Sequence, residues 1–237
     1  MPAYRAAKTL RETYLLVPNE LVHSVILVDD GSPDETFALA RELSIKAIRH
    51  PHNVGYGGNQ KTCYMEALRD LADVVVMLHP DGQYDPQLIP ELVRPVLEGE
   101  ADLTLGSRFL IPGAAKEGGM PLYKRIANRI LSGVENVTLG LHLSEYHTGY
   151  RAYSRKFLET VPFLRNSNDF VFDSQVIFQA VAFGLPVKEV PARSRYFKEA
   201  SSVGFRTSVV YGISTLWWLT RYLLHRFHIV RCSLFSK

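Results

Sequence analysis

The chain has 237 residues, a hydrophobic fraction of 46% and a formal net charge of +3 at pH 7. This length suffices for one sizeable hydrophobic core, and the composition is that of a globular protein rather than a disordered or fibrous one. The charge is too small for a typical nucleic-acid-binding protein. Cys63 and Cys232 have no spacing that indicates a disulfide framework or a zinc site. We therefore expect one α/β domain in a reducing cytoplasm, with no nucleic-acid partner.

Short apolar segments alternate with helix-forming segments along the chain. The pattern predicts strands at residues 24–28, 47–49, 74–78 and 103–105, and helices at residues 36–43, 59–71, 88–97 and 123–139. Strands that alternate with helices of this length are typical of a mainly parallel sheet flanked by helices. The segment 111–121 is rich in glycine and proline, which predicts a mobile loop without a regular element, close to an acceptor.

Two carboxylates follow the first predicted strand. Ser32, Pro33 and Glu35 have the form of a helix start, with a capping serine, a proline in the first turn and an acid three residues on. Capping does not account for Asp29 and Asp30. A carboxylate in a strand-to-helix turn can accept hydrogen bonds from a nucleobase or from ribose hydroxyls. We therefore predict that Asp29 or Asp30 contacts a nucleoside.

The predicted strand at 74–78 is a continuous apolar run that ends on His79, Asp81 and Gln83. In open α/β sheets, ligands bind beyond the carboxyl ends of such strands. Carboxylate and amide oxygens suit hard cations such as Mg²⁺ and Mn²⁺, and substrate phosphates supply further ligands. The segment thus predicts a metal–diphosphate site at Asp81 and Gln83. The alternative interpretation is a solvated turn built on Pro80, Asp81 and Gly82.

Six short motifs follow one another along the chain. They are Pro2-Ala3-Tyr4, Val28-Asp29-Asp30-Gly31-Ser32-Pro33-Asp34, Asn53-Val54-Gly55-Tyr56-Gly57, Asp81-Gly82-Gln83, Gly106-Ser107-Arg108 and Thr148-Gly149-Tyr150-Arg151-Ala152. In this order the chain resembles the family 2 glycosyltransferases, and within them the dolichol-phosphate mannosyltransferase-like branch that uses polyprenyl phosphates. The resemblance runs from Pro2 to about Gly212. It implies a GT-A fold, a UDP- or GDP-linked sugar donor, Mg²⁺ or Mn²⁺, and an inverting transfer to a lipid phosphate.

The resemblance also implies roles for individual residues. Asp81, Arg108 and Glu145 would be catalytic, with Arg108 on the acceptor phosphate and Glu145 orienting the acceptor or serving as a base. The donor-binding set would be Pro2, Tyr4, Asp29, Asp30, Asn53, Gly57, Asp81 and Arg195. His79 occupies the position where the family often has the first aspartate of its metal motif. It is therefore a further candidate metal ligand, or a residue that orders the loop.

Two positions depart from the family pattern. Met1 directly precedes the Pro-x-Tyr segment, where the family has a complete first strand inside the sheet. Its absence would leave backbone groups of two neighbouring strands unpaired, so we expect that the natural chain starts upstream or that another segment fills the gap. Ala6 stands where the family often has an acid that helps to hold the base or ribose, which bears on base affinity and selectivity.

Residues 207–230 form an amphipathic pattern with one apolar face, and Trp217 and Trp218 suit a headgroup boundary. The uninterrupted apolar stretch is shorter than the roughly 20 residues that span a bilayer. We therefore expect a helix on the cytoplasmic surface of a membrane, and a helix docked on the core is the alternative. The predicted division is a catalytic domain at 1–206 and this C-terminal helix at 207–237, and the chain could form a homo-oligomer.

Two functions of other classes remain open from the sequence. A noncatalytic sugar-nucleotide-binding subunit would account for the lost first strand, Ala6 and His79. A sugar nucleotidyltransferase shares the architecture. It would carry a glycine-rich phosphate loop with a basic residue after the first strand, and residues 4–9 do not form one.

Overall fold

The structure is a computed structural model that describes residues 1–196 and 204–236. Its strands are β1 (Pro2–Ala3), β2 (Ile26–Asp29), β3 (Lys46–Arg49), β4 (Val74–Met77), β5 (Leu103–Ser107), β6 (Arg151–Ser154) and β7 (Val187–Pro191). Its helices are α1 (Leu10–Leu15), α2 (Thr36–Glu42), α3 (Tyr56–Arg69), α4 (Ile89–Leu97), α5 (Ala114–Glu117), α6 (Leu122–Leu139), α7 (Arg155–Thr160), α8 (Phe172–Ala182) and α9 (Phe205–Arg226). Short 3₁₀ turns lie at Pro86–Leu88, Phe163–Arg165 and Ser233–Phe235.

The strands form a mainly parallel sheet flanked by helices, which confirms the predicted fold class. In one part, β1, β2 and β3 lie in parallel order. In the other part the order is β4, β6, β5, β7, and β5 is parallel to β7. Strand β6 is the exception, because it runs antiparallel to both β4 and β5. The sequence patterns did not predict β6 or β7.

The two parts of the sheet are not joined by strand pairing. Strand β1 is only two residues long and pairs with β2 through Pro2 opposite Val28 and Ala3 opposite Asp29. Beyond it, the amino group of Met1 donates a hydrogen bond of 2.7 Å to the carbonyl of Ile26. Among the described residues, no strand pairing joins β1 or β2 to β4.

The apolar core lies on both faces of the sheet. On one face, helices α3 and α8 contribute the fully buried rings of Tyr64, Phe172 and Phe178. On the other face, α4 packs Leu92 and neighbouring side chains against the sheet, and the same cluster reaches Leu10 of α1. This double covering explains why the strand sequences are apolar at consecutive positions rather than at alternate ones.

Two local predictions were wrong. Helix α2 begins at Thr36, and Ser32 does not cap it. The Ser32 hydroxyl instead accepts a hydrogen bond from the backbone N–H of Arg5. The segment 111–121 contains the short helix α5, because Gly113 adopts a φ of 83° that turns the chain into a run of good helix formers.

The C-terminal segment contains helix α9, one face of which docks on the core, and its place on a membrane surface stays a prediction. Thr215, Leu219 and Tyr222 are buried against the rest of the molecule. Ile213 and Trp217 are 64% and 59% exposed. Across residues 1–196 and 204–236, we find no helix that is long and apolar enough to cross a membrane.

Candidate active site

A cavity of about 250 Å³ lies beyond the carboxyl ends of β4 and β5. Helix α6 and the first turns of α9 form its opposite wall. The polar and charged lining residues are Tyr56, His79, Asp81, Gln83, Tyr84, Arg108, Tyr123, Lys124, Asn128, His147, Asp173, Tyr196, Ser208 and Tyr211. The cavity therefore brings together the predicted residues Asp81, Gln83, His79 and Arg108 at the place where α/β folds bind ligands.

Two other segments donate hydrogen bonds to backbone carbonyls of the loop that carries Asp81. The Thr9 hydroxyl donates to the carbonyl of Pro80 at 2.6 Å, which ties the loop after β1 to the loop after β4. The backbone N–H of Arg195 donates to the carbonyl of Gln83 at 2.9 Å. Arg195 thus lies beside the cavity residue Gln83, and its side chain is exposed. Its contact with the donor diphosphate stays a prediction.

Asp81 is a largely desolvated carboxylate at the cavity. Within the described ranges no lysine, arginine or histidine forms an ion pair with Asp81, and burial raises its pKa from 3.8 to about 6. One of its oxygens accepts the backbone N–H of Gln83 at 3.0 Å. A desolvated carboxylate in a cavity that also holds an amide side chain fits a divalent cation, because the ion would offset the lost hydration.

Few side chains near Asp81 could bind a metal ion. In the parts of the chain that the structure describes, no cluster of three or more His, Cys, Asp and Glu side chains could hold a metal ion. Mg²⁺ and related ions bind through one or two carboxylates and complete their coordination with water and substrate phosphates. Asp81 and Gln83 therefore suit a metal ion that binds together with a diphosphate.

His79 is held by aromatic and hydroxyl neighbours. Its imidazole stacks on the ring of Tyr56 at a centroid distance of 5.4 Å, and its Nε2 lies 3.3 Å from the Tyr56 hydroxyl. Burial lowers the pKa of His79 to about 4, so the ring is neutral at pH 7. The Tyr56 hydroxyl donates to Asp173 at 2.7 Å. These contacts favour the loop-ordering role of His79, and its role as a metal ligand stays a prediction.

Arg108 is 6% exposed and reaches the cavity with most of its donors already engaged. Its Nε and Nη2 bond the carboxylate of Glu145, its Nη2 also donates to the carbonyl of His147, and its Nη1 donates to the hydroxyl of Tyr196. Among the described residues, partners are found for four of the five N–H donors of the guanidinium, and the fifth is on Nη1. Arg108 is thus oriented by its neighbours, and its contact with an anion stays a prediction.

Glu145 is bonded to other side chains of the protein. Its side chain is fully buried, and its two oxygens accept bonds from Arg108 and, at 2.8 Å, from the amide of Asn128. Burial alone would raise the pKa of Glu145, but the charge and hydrogen bonds of Arg108 hold it below its usual value. These bonds do not favour the predicted contact of Glu145 with an acceptor or its service as a base, which stay predictions. Its carboxylate fixes the orientation of the Arg108 guanidinium.

Lys124 is a cavity residue that the sequence patterns missed. It lies on α6, and its ammonium is 6.0 Å from the ring centroid of Tyr196. Burial, followed by the charge of Arg108, lowers its pKa. Lys124, Asn128 and Leu131 all line the cavity at the i, i+4, i+7 spacing of one helix face. This spacing predicts from the sequence that the three residues share one face of a helix. It does not predict which part of the molecule that face packs against.

Asp29 is bonded within the protein. Its side chain is fully buried, both of its oxygens accept the backbone N–H of Ser32, and one lies 3.2 Å from the guanidinium Nε of Arg49. Its position at the end of β2 is as expected. Its direct contact with a nucleoside stays a prediction, which these internal bonds do not favour.

Asp30 anchors the loop after β3. Its carboxylate accepts the backbone N–H groups of Val54 and Gly55 at 2.9 and 3.1 Å, and one oxygen lies 2.8 Å from His50 Nδ1. Asn53 is in the same loop and exposed, and its side-chain oxygen accepts the N–H of Gly55. Asp30 therefore shapes the loop that was predicted to contact the donor.

The remaining predicted donor residues differ in exposure. Pro2 is buried in β1, whereas Tyr4 is 48% exposed just beyond it, with Arg5 over its ring. Gly57 is buried in the first turn of α3, and a Cβ there would lie 2.4 Å from the carbonyl oxygen of Ser167. The helix begins at Tyr56, so Gly57 lies inside it and permits the close approach of another backbone, and its contact with a donor stays a prediction.

Comparisons with known proteins agree with this geometry. The model of the glycosyl transferase family 2 matches residues 1–161. An uncharacterised protein of Methanocaldococcus jannaschii is 31% identical over 216 residues, which cover 91% of this chain and 87% of that protein. A protein of Methanococcus voltae named UDP-N-acetylglucosamine–dolichyl-phosphate N-acetylglucosaminyltransferase is 27% identical over 229 residues, with 90% of each chain covered.

Solved structures share the fold at low sequence identity. Glucosyl-3-phosphoglycerate synthase from Mycobacterium tuberculosis, in complex with phosphoglyceric acid, matches with a TM-score of 0.71 at 20% identity, over 93% of this chain and 77% of that one. A complex of the same protein with Mn²⁺, UDP and glucosyl-3-phosphoglycerate matches with a TM-score of 0.68, over 92% of this chain and 77% of that one. The GT-A fold is thereby established.

Proposed function

Because this chain belongs to glycosyl transferase family 2, we propose that it transfers a sugar from a nucleotide diphosphate to the phosphate of a polyprenyl lipid, with inversion at the anomeric carbon. The relative from Methanococcus voltae, whose name includes a UDP-linked sugar and a dolichyl phosphate, supports both substrate classes. The fold neighbour that binds Mn²⁺ and UDP supports a divalent metal with the donor.

The arrangement of charges in the cavity supports the proposal. On the side of β4, the cavity has the acid Asp81, which pairs with no cation of the described residues. Two cations, Arg108 and Lys124, lie on the side of β5 and α6. A transfer between two phosphates needs this separation, because one phosphate group must be bound as the leaving group and the other as the nucleophile.

The leaving group would be held at Asp81. Asp81 and Gln83 would bind the metal, and the metal would neutralise the charge that develops on the departing diphosphate. Arg195, beside Gln83 through its backbone bond, would add a positive charge on the same side. Tyr4, exposed beyond β1, would contact the nucleoside, and the loop that Asp30 anchors would border it.

The acceptor phosphate would be held at Arg108 and Lys124. Glu145 keeps the guanidinium of Arg108 in one orientation, and the remaining N–H on Nη1 would donate to a phosphate oxygen. A lipid phosphate is already an anion at pH 7 and needs no proton removed before it attacks the anomeric carbon. This chemistry agrees with the bonds of Glu145, which do not favour its service as a base.

A surface beside the cavity would bring the lipid to it. Helices α6 and α9 lie side by side, with Tyr123 against Phe205 at one end and Arg226 beside Thr138 at the other. Their exposed apolar residues are Leu122, Ile126, Ile130, Val134 and Val137 of α6, and Phe205, Val209, Val210, Ile213, Leu216 and Trp217 of α9. We call this set the α6–α9 apolar face, and it exceeds the scattered apolar exposure that is ordinary on a soluble protein.

A membrane is the partner that this face fits. Both helices also carry basic residues, among them Arg125 and Arg129 on α6 and Arg206 and Arg221 on α9. An apolar stripe with basic flanks is typical of helices that lie in a membrane interface with anionic lipids. Lys124 of α6 and Tyr211 of α9 line the cavity together with Arg108. A lipid phosphate at the bilayer surface would therefore lie next to Arg108. The proposed location is the cytoplasmic face of a membrane.

The direct test is turnover. The purified protein is incubated with Mn²⁺ or Mg²⁺, a short-chain polyprenyl phosphate in detergent, and UDP- or GDP-linked sugars one at a time. We expect release of the nucleoside diphosphate and a glycosylated lipid phosphate with one donor. Omission of the lipid phosphate should reduce release to the rate of donor hydrolysis. Binding of a donor without any transfer to lipid phosphate would instead support a noncatalytic sugar-nucleotide-binding protein.

A further inference from the structure

Three polar side chains connect helix α6 to helix α9 beside the active-site cavity. Glu135 of α6 is fully buried, and its carboxylate lies 3.2 Å from Nε2 of His147. Nδ1 of the same imidazole lies 2.8 Å from the hydroxyl of Tyr211 on α9. The Tyr211 hydroxyl is also 2.9 Å from the hydroxyl of Ser174 on α8. We call Glu135, His147 and Tyr211 the cross-helix triad.

The imidazole of His147 is held between the two helices. Glu135 approaches Nε2 without the alignment of a hydrogen bond, and neither of its oxygens accepts a hydrogen bond from a described residue. An acid that is removed from water in this way is costly unless a polar group faces it, and here the imidazole does so. On the other side, the edge of the Tyr211 ring packs against the imidazole at a centroid distance of 5.4 Å. Nε2 is thus directed toward α6 and Nδ1 toward α9.

The backbone of His147 contacts the guanidinium of Arg108. Its carbonyl accepts a hydrogen bond from Arg108 Nη2 at 2.8 Å. The hydroxyl of the next residue, Thr148, donates to the carbonyl of Gly106 at 2.8 Å, so this segment lies against the end of β5. The imidazole and the carbonyl of His147 are joined through one Cα. A contact that fixes the imidazole therefore also restricts the carbonyl that receives Arg108.

The first half of α9 is less firmly packed than its second half. Residues 205–214 are all exposed or half-buried, whereas Thr215, Leu219 and Tyr222 are buried. Segments that bury few side chains open at a lower free energy than the core does. Tyr211 lies in the first half, so its bonds to His147 and Ser174 hold this half of the helix against the cavity.

We propose that His147 is a positioning residue for the acceptor phosphate, and that its bond to Tyr211 makes the orientation of Arg108 depend on the docking of α9. The inference rests on the proposed transfer to a lipid phosphate. With α9 docked, Tyr211 fixes the imidazole, and the carbonyl of His147 holds Nη2 of Arg108. When the first half of α9 moves away, the guanidinium loses this restraint. The effect falls on the acceptor side of the cavity and leaves the donor side unchanged.

The first test is Tyr211→Phe, which removes the hydroxyl and keeps the ring against His147. We expect the KM for a short-chain polyprenyl phosphate in detergent to rise about fivefold, as for one lost hydrogen bond, and the Kd of the nucleotide sugar to stay within about twofold. Tyr222→Phe is the matched control, because it removes a hydroxyl from the same helix outside the cavity. It should keep the wild-type KM. The same KM in folded Tyr211→Phe as in the wild type would overturn the proposal.

A second variant separates coupling through His147 from direct contact between Tyr211 and the acceptor. His147→Gln keeps an amide that can face Glu135 and has no group at the position of Nδ1. In this background, Tyr211→Phe should change the KM for the lipid phosphate by less than about twofold, because the bond that it removes is already absent. An undiminished fivefold rise would assign Tyr211 to direct contact with the lipid and overturn the role of His147.

Hydrogen exchange at Arg108 tests the coupling without any substrate. The Nε–H of Arg108 donates to Glu145, and its resonance in the ¹⁵N-labelled protein is identified by its loss in Arg108→Lys. We expect this hydrogen to exchange with water at least about threefold faster in Tyr211→Phe than in the wild type or Tyr222→Phe. Equal exchange in the three proteins would overturn the proposal. Absence of turnover by the wild type would instead count against the proposed transfer, and the exchange rates would still decide whether α9 is coupled to Arg108.

Discussion

The guanidinium of Arg108 and the carboxylate of Glu145 form a buried ion pair at the wall of the active-site cavity. Arg108 is 6% exposed, and Glu145 is fully buried. Replacing one partner of such a pair leaves an uncompensated charge away from water, which costs more than the pair itself contributes. The pair therefore orients the Nη1 N–H of Arg108 that no described residue accepts, and Glu145 would influence the reaction through Arg108.

The first prediction concerns Glu145→Gln, which keeps the shape of the side chain and removes its charge. We expect the free energy of unfolding to fall by about 3 kcal/mol. The KM for lipid phosphate should rise, while the Kd for the nucleotide sugar stays the same. Glu117→Gln is the matched control, because Glu117 is an exposed acid that pairs with the exposed Arg193. It should change stability by less than about 0.5 kcal/mol. An unchanged KM for acceptor in folded Glu145→Gln would contradict the positioning role.

The second prediction concerns Asp81→Asn. The variant should lose the stabilisation that Mn²⁺ together with a nucleotide diphosphate gives the wild type, measured as the shift of Tm. The wild-type shift should correspond to about 2.7 kcal/mol when the ligand is at 100 times its dissociation constant. Asp85→Asn is the control, because the exposed carboxylate of Asp85 accepts the N–H of Gln87 outside the cavity and should leave the shift intact. Normal metal-dependent stabilisation of Asp81→Asn would remove Asp81 from the metal site.

The same substitution should act on the metal-free protein in a pH-dependent way. Burial raises the pKa of Asp81 from 3.8 to about 6, so the folded protein binds this proton more tightly than the unfolded chain does. The stabilisation that this proton gives the folded state is fully present below about pH 4. It is lost as the pH rises through 6, and the free energy of unfolding falls by roughly 3 kcal/mol. Without metal, Asp81→Asn should therefore be more stable than the wild type at pH 8. The difference should shrink toward pH 4 in thermal melts.

Much of the site could be predicted from the sequence, because strand ends are visible as apolar runs that stop on polar residues. Asp81 and Asp29 were placed in this way. The partner of Arg108 could not be found so easily, because Glu145 lies 37 residues away along the chain, in the segment between α6 and β6, and β6 pairs with β5 only in the folded sheet. Lys124 was missed for a related reason. Its helix face was predictable, but the cavity that it faces depends on tertiary packing.

The third prediction concerns Gly57→Ala. A Cβ at this position would lie 2.4 Å from the carbonyl oxygen of Ser167 and 2.8 Å from the Cβ of Phe172, so the backbone at 167–168 must move. We expect a loss of about 2 kcal/mol in the free energy of unfolding, measured by urea denaturation. Gly133→Ala is the control inside another helix, where a Cβ meets no atom within 4 Å. It should stabilise the protein by about 0.5–1 kcal/mol. Equal effects of the two substitutions would show that helix propensity alone decides.

The fourth prediction separates the donor side from the acceptor side. Asp30→Ala removes the acceptor of the N–H groups of Val54 and Gly55, so the loop that contains Asn53 should lose its fixed conformation. We expect nucleotide-sugar binding to weaken about tenfold in calorimetric titrations, since one or two loop bonds are worth about 1–2 kcal/mol. Arg108→Ala should instead lower acceptor-dependent turnover and leave the donor Kd within about twofold. Equal loss of donor affinity in both variants would contradict this division.

The last prediction concerns the α6–α9 apolar face. A truncation before α9 would expose the core, because Leu219 and Tyr222 are buried, so surface substitutions are the sharper test. Ile130 and Ile213 are 62% and 64% exposed on neighbouring helices, and the double change Ile130→Glu with Ile213→Glu puts two charges on the face. We expect at least a tenfold loss of sedimentation with anionic liposomes and an unchanged Tm.

A control variant and the salt dependence of sedimentation test whether this face binds a membrane. Leu164→Glu alters another exposed apolar residue, 55% accessible and away from both helices, and should sediment like the wild type. Each basic residue close to an anionic surface contributes about 1 kcal/mol, and this attraction fades within a Debye length. Wild-type binding should therefore weaken in 0.5 M salt and on neutral lipids. If the wild type stays in the supernatant with anionic vesicles at low salt, the α6–α9 apolar face does not bind a bilayer. The delivery of a lipid phosphate to Arg108 would then lose its structural support.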